Sequence, residues 1–562
     1  DSLIADSVSQ EKLKEEFASF GESALGENEF ITLENDLLKV KISTKGGRPY
    51  SVQLKDYMRF DSLPLLLFDG DENIFGMTFF AENRKIATND LFFKPVHDQK
   101  EVTALKSKES LSLRLHAGEG RYIEYTYTIV PGSYLLDFDI HFVGMDKLIS
   151  KTNSFIDLNW YKNVPSLEKG KEWENQYTGI YYKHHKDEVE WLSETSSKDE
   201  INVSTKIKWI AIKQQFFSSI LIAKDAFLNA KLSQTINETD PHYLKECNAF
   251  FSIPFDGKSD ETFSFSLFYG PNKYKILNNI YVTEEDDLNL KKLLPLGWGI
   301  FGWINRFAII PMFNWLGSFI SNYGLLIFIM TLIIKLVLFP LTFKSYQSSA
   351  KMRVLKPQID AINAKIPKDK AMERQQATMA LYKKAGVNPM GGCLPMLVQF
   401  PFLIAMYRFF PASIELRQES FLWATDLSSY DSILDLPFTI PWYGAHVSLF
   451  TLLMAVSIVF STKINGAQMQ GSAQMPGMKM MMYMMPVMML FFFNKYSSGL
   501  SYYYFLSNVI TIGQTLIIRR FIDDEAVLQK LNENKKKPKS KSKFQARLEE
   551  MAKQKGYPAK KK

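Results

Sequence analysis

Cysteine is almost absent: Cys247 and Cys393 are the two in 562 residues. One falls in a polar half of the chain and the other in an apolar half, so no structural disulfide between them is expected. Zinc-ligand spacing, a phosphate-binding glycine loop and a dinucleotide fingerprint are all missing, and neither a metal nor a cofactor is expected. Of the seven histidines only His184 and His185 cluster, with no further ligand motif beside them. Acidic residues are missing from the long apolar runs at 321–343, 389–412, 442–461 and 480–518. No pair of carboxylates stands out for glycoside chemistry.

What is present divides in two. Up to residue 290 there are 33 Lys+Arg against 46 Asp+Glu, a net of −13; from 291 onward 34 against 14 give +20. Hydrophobic residues make up 46% and aromatic ones 14%, rich for a soluble chain. The two halves are built for different surroundings. The chain begins with Asp1 rather than Met, which predicts that an N-terminal segment has been removed.

Residues 1–28 are polar and read as a tether. Over 29–290 the pattern has the period of strands. Leu38, Val40 and Ile42 alternate with Lys39 and Lys41, Gly46 and Gly47 mark a turn, and Val52 and Leu54 resume the alternation. The same period returns at Leu111, Leu113 and Leu115 and at Ile123, Tyr125, Tyr127 and Ile129, before Pro131-Gly132 turns the chain. Many short punctuated strands predict a large antiparallel β-sandwich domain. Its tryptophans, Trp160, Trp173, Trp191 and Trp209, could line a carbohydrate groove or serve as packing.

The second half is organised around Tyr323–Phe343, an apolar run whose polar members are Thr331, Lys335 and Thr342. A helix of that length rises about 30 Å, roughly the hydrocarbon thickness of a bilayer. Lys335 lies twelve residues past Tyr323, near mid-membrane, where a charge is costly and marks a site unless it snorkels to an interface. Before this span, 291–320 is apolar, broken by glycine and proline and rich in tryptophan, and reads as an interfacial amphipathic helix. After the span at 321–343, residues 344–388 carry ten Lys+Arg against three Asp+Glu and read as a basic helical hairpin. Met352, Leu355, Ile359, Ile362 and Ile366 follow its seam, with a kink near Pro357. Further spans are predicted at 389–412, 442–461, 480–496 and 497–518, separated by a short acidic segment at 413–441 and a polar loop at 462–479. The tail, 519–562, has fifteen Lys+Arg against six Asp+Glu. By the positive-inside rule the hairpin and tail are cytoplasmic and the β domain lies outside. The expected fold class is therefore an α-helical bundle of five spans in this chain, a sixth preceding it, with an extracytoplasmic antiparallel β-sandwich and a cytoplasmic helical hairpin.

Three stretches carry a family resemblance: NPMGGCLPMLVQFPFLIAMYRFF at 388–410, SSGLSYYYFLSN at 497–508, and TLIIKLVLFPLT running into SYQSSAKMRVLKPQI over 331–359. With ITLENDLLKVKISTKGGRPYSVQL at 31–54, the chain resembles the YidC/Oxa-type membrane protein insertases over nearly its whole length after the tether. The resemblance implies an insertase and chaperone of the bacterial inner membrane, multi-pass, with the β domain in the periplasm. It implies a hydrophilic groove holding a cation, usually arginine; the matching position here is Lys335, which keeps the charge but loses the bidentate fork. Thr331, Gln399, Tyr503 and Tyr504 carry over as groove residues, and helix-helix hydrogen bonding is the alternative role for Gln399 and the two tyrosines. Implied partners are nascent membrane proteins, Sec translocon components and membrane lipids. The ribosome is a further expected partner, through phosphate contacts of the basic tail without sequence readout. The alternative function is a secondary transporter using the intramembrane lysine.

Overall fold

The computed structural model describes residues 15–71, 73–149, 154–282, 287–367, 369–387, 394–469 and 478–536. The first fourteen residues of the tether, the 388–393 motif with Cys393, the 470–477 part of the polar loop, and the tail at 537–562 lie outside the described residues. The chain forms two units. One comprises Asp1–Asn305, Met406–Ile433 and Lys495–Gly499, the other Arg306–Ala405, Leu434–Asn494 and Leu500–Lys562.

The first unit is built from a nine-stranded, a six-stranded and a five-stranded sheet. Alternation dictates its pairing: Leu38 opposes Leu54 and Val40 opposes Val52 in an antiparallel hairpin, and all four side chains are buried. The turn between them needs left-handed backbone at Gly46 and Gly47, and a Cβ on Gly47 would lie 2.9 Å from the Tyr125 ring. Strands Tyr122–Ile129 and Leu135–Val143 pair without a slip across the Pro131-Gly132 turn. Phe138 meets Tyr125 edge-on at 5.1 Å and stacks on Tyr127 at 4.6 Å, each buried ring contributing about 2–3 kcal/mol. One pair departs from the expected antiparallel pattern: Phe30–Glu34 runs parallel to Glu101–Thr103. The four tryptophans do not share one environment, since Trp160, Trp173 and Trp209 are buried while Trp191 is exposed and stacked on Tyr181.

Polar groups thread the interior of this unit. Arg417 Nε donates to Glu168 Oε1 and Oε2 at 2.8 and 2.9 Å, and its Nη2 donates to Met58 O at 2.6 Å. Its guanidinium also lies over the Phe217 ring at 5.2 Å. Glu174 accepts from Ser166 Oγ and from the Leu167 and Glu168 amides. Burial holds both carboxyls above the usual range; Arg417 pulls Glu168 back, and Glu168 pushes Glu174 further up. Lys162 is fully buried, with Nζ donating to Ser219 Oγ at 3.0 Å.

Burial pushes the Lys162 ammonium down from 10.5 to about 7. A lysine depressed on folding withholds stability below its folded value and restores it as pH rises towards the unfolded one. Lys162→Met is therefore expected to stabilise the unit by roughly 1–4 kcal/mol near neutral pH, with a gain that shrinks as pH approaches the unfolded value. Thermal melts of the purified protein across that window measure it; a gain independent of pH would assign the effect to packing alone.

In the second unit the helices are α1 (Ile310–Gly317), α2 (Tyr323–Val354), α3 (Lys356–Lys365), α4 (Ala371–Ala385), α5 (Leu394–Phe409), α6 (Leu449–Met469), α7 (Met478–Phe493), α8 (Ser498–Phe521) and α9 (Asp524–Lys536). The first residues of α8 and the last of α5 belong to the other unit. Helix α2 starts where Asn322 Oδ1 accepts from the Leu325 amide. It is 32 residues long, the one helix among the described residues long and apolar enough to cross a bilayer. It runs past the predicted end at Phe343 to Val354, so the first arm of the expected hairpin is partly its continuation. The break comes at Leu355, beside Pro357, and Gly386 in left-handed conformation ends α4.

Other boundaries also move. The predicted interfacial helix at 291–320 is broken: a short helix at Gly299–Ile304, a π turn at Asn305–Ile309, then α1. Gly302 packs so closely on Gly297 O that a Cβ would lie 2.3 Å from it, so the close approach at the start of this segment requires glycine. The predicted span at 442–461 begins instead in a β-hairpin, Leu434–Ile440 with Gly444–Val447, and is helical only from Leu449. The start of the predicted tail is helical: Val527 and Leu531 of α9, one turn apart, pack on Leu355, Ile359, Tyr382 and Ala385.

Candidate functional site

Two helix faces build the site. On α2, Thr331, Lys335, Thr342, Ser345 and Ser349 are buried polar residues, the first three within its apolar run. On α8, Tyr503, Ser507, Thr511 and Thr515 recur every four residues and so share one stripe. Lys335 Nζ donates to Thr511 Oγ1 at 2.7 Å. The Thr511 hydroxyl in turn donates to Ser507 O at 2.7 Å, while Gln399 Nε2 of α5 donates to Ser507 Oγ at 3.2 Å. One turn further along, the Tyr346 and Thr515 hydroxyls lie 2.7 Å apart. The result is a polar seam of hydroxyl and amide groups around Lys335.

The expected residues divide over this seam. Lys335 and Gln399 reach it from two helices through Thr511 and Ser507. Thr331 sits one turn before Lys335, but its hydroxyl donates to Ile327 O of its own helix at 2.6 Å. Tyr503 is buried on the stripe, 5.5 Å from the Tyr504 ring. Tyr504 OH donates to Leu403 O at 3.0 Å, a helix-helix hydrogen bond, and its ring meets Phe493 edge-on. Ser507, Thr511, Thr515 and Tyr346 were not anticipated; the four-residue hydroxyl spacing in 497–518 is the signal that points to them.

Lys335 is 4% exposed, and among the described residues no carboxylate pairs with it. The neighbouring apolar segments contain no Asp or Glu that could. A buried cation solvated only by hydroxyl dipoles is under-compensated and attracts an incoming anion more strongly than a surface lysine does. What this arrangement of an ammonium and hydroxyl groups can offer is electrostatic attraction and hydrogen bonding.

The chain thus joins a β-rich N-terminal domain to a helical region whose one long apolar helix among the described residues carries a buried lysine. The family described as 60Kd inner membrane protein matches residues 315–525, and that described as YidC periplasmic domain matches 30–311. The Parabacteroides distasonis membrane protein insertase YidC is 46% identical over 97% of this chain and 86% of that protein. Its counterpart in Azobacteroides pseudotrichonymphae is 43% identical over 97% and 90%. A crystal structure of an active YidC insertase with its first transmembrane domain resolved matches at 20% identity and a TM-score of 0.33, covering 87% of this chain and 92% of that one. The chain belongs to the YidC family of membrane protein insertases, and its function is that of an insertase rather than an enzyme. The secondary transporter weighed as the alternative finds no support among these relatives.

Proposed function

We propose that the seam around Lys335 is the floor of a hydrophilic groove that receives the polar or acidic translocated segment of a nascent membrane protein. The observation that carries this is the buried Lys335 side chain, bonded to the Thr511 hydroxyl and, among the described residues, paired with no carboxylate. A client segment held there crosses a shorter apolar distance, and the hydroxyl ladder replaces part of its lost hydration. Its hydrophobic helix then partitions into lipid along α5 and α7. Leu397 and Phe400 on the first, and Met484, Val487 and Met488 on the second, are exposed apolar side chains. Methionine suits varied clients because its thioether chain adapts to different shapes.

On this reading the segments at 321–343, 389–412, 442–461, 480–496 and 497–518 are five spans, with the β domain periplasmic and the hairpin and tail cytoplasmic. The positive charge of 344–388 and 519–562 supports that orientation. The hairpin receives clients, the basic tail meets ribosomal RNA phosphates and anionic lipid, and Sec translocon components share clients that this chain chaperones. The test places a photocrosslinker at Thr511 and at Phe400 and programs ribosomes with a stalled membrane-protein chain. Both positions are expected to capture the nascent chain, Thr511 its polar segment and Phe400 its apolar helix. Capture at neither position would overturn the groove.

A further inference from the structure

The hairpin formed by Leu434–Ile440 and Gly444–Val447 presents apolar side chains outward: Leu434, Phe438 and Trp442 are 57%, 61% and 88% exposed. It is firmly held. Asn494 Nδ2 donates to Tyr443 O and His446 O at 3.0 and 2.8 Å, and Asn494 Oδ1 accepts from the Ser448 amide at 3.0 Å. His446 Nε2 lies 2.8 Å from Asn494 O. Tyr443, next to Trp442, is buried edge-on against Phe491 at 5.3 Å, so the two neighbouring aromatics point opposite ways.

Trp442 has φ +73, a left-handed backbone that is strained for a residue with a Cβ. Glycine at this tip would avoid that strain, yet the position carries the largest apolar side chain and aims it away from the fold. Between residues 434 and 448 the only formally charged side chain is Asp435, so the surface offers no charge pattern for an ionic partner. Helix α6 begins two residues after the second strand, which fixes the hairpin to the end of an apolar helix.

We propose that this hairpin is a lipid anchor, with Phe438 and Trp442 seated at the headgroup-acyl boundary of the outer leaflet. Aromatic side chains favour that boundary, and a rigid hairpin delivers them there without the entropy loss of a flexible loop. The anchor sets the depth of α6 and resists its displacement while a client moves along the neighbouring helices. It rests on the reading that α6 spans the bilayer.

The experiment uses the full chain reconstituted into phosphatidylcholine-phosphatidylglycerol vesicles. An environment-sensitive fluorophore is attached to Phe438→Cys with Trp442 intact, to Val456→Cys on α6, or to Lys106→Cys on the exposed sandwich surface, each in a Cys393→Ser background. Val456 is 51% exposed, and Cys247 is buried and withheld from the label. Nitroxide-bearing lipids are expected to quench the 438 probe about threefold or more beyond the 106 probe, a shallow nitroxide more than a deep one. Trp442→Asp is expected to return the 438 probe to the 106 level. If the 456 probe is quenched while the 438 probe matches 106, the anchor is overturned and the span stands. If neither is quenched, the span reading fails and the anchor fails with it. A 438 probe shielded from both lipid and aqueous quenchers in proportion to protein density identifies a protein contact instead, and also overturns the anchor.

Discussion

Lys335→Glu is expected to abolish insertion of a small client whose translocated segment is acidic, while Lys335→Arg retains most of it. At a separation of about 6 Å and an effective dielectric near 20, one cation attracts one carboxylate by on the order of 3 kcal/mol. Reversing the sign replaces that attraction with a repulsion of similar size, so a loss on the order of a hundredfold or more in insertion rate follows. Arginine preserves the charge and adds donors, although its rigid fork must find new partners beside Thr511. Lys335→Gln separates charge from hydrogen bonding: it can still donate to Thr511 Oγ1, and is expected to fall between wild type and Lys335→Glu. A client with a neutral translocated segment should respond far less to all three. Reconstituted vesicles and protease protection of the inserted client provide the measurement, with thermal melts to show that each variant is folded. Normal insertion of the acidic client by folded Lys335→Glu would remove the charge from the mechanism.

The legible parts of this molecule were those where burial is one-sided. The strand over Leu38–Ser43 alternates because one face meets the core and the other meets solvent. Strand Ile207–Lys213 is buried along its whole length, with Lys208 and Lys213 inside it, and so carries no such period. Lys335 stood out because a charge within an apolar run is rare. Its partner Thr511 did not, since threonine in a helix bonds to the preceding turn and looks neutral in a hydrophobic sequence. Helix α9 was hidden for a related reason: its two packing residues, Val527 and Leu531, sit in a tail whose overall composition is basic. Hairpin and span were confused at Trp442 because both are apolar, and only Gly444 and the paired backbone separate them.

Arg417→Leu is expected to destabilise the β-rich unit by about 3–5 kcal/mol, the cost of leaving one member of a buried ion pair uncompensated. The pair could not be foreseen, because Arg417 and Glu168 stand 249 positions apart and each looks like a surface residue in its own neighbourhood. In the fold their side chains are 2% and 6% exposed, and Arg417 also satisfies Met58 O. Without Arg417 the Glu168 carboxyl loses its ion-pair partner and remains beside Glu174, so its folded value rises further above that of the unfolded chain. A raised acid favours the folded state while it is protonated and loses that contribution as pH rises. The deficit of Arg417→Leu is therefore expected to be smallest below pH of about 7, where Glu168 is protonated in both folded proteins, and to grow as pH rises above that value. Glu168→Gln combined with Arg417→Leu removes both charges and should recover most of the loss at every pH, since a neutral pair needs no counter-ion. Melting curves of the four proteins, with hydrogen exchange over 155–165 and 413–431, close the cycle. A double variant as unstable as Arg417→Leu, with no pH dependence in either, would show that Arg417 contributes by filling space over Phe217 rather than by its charge.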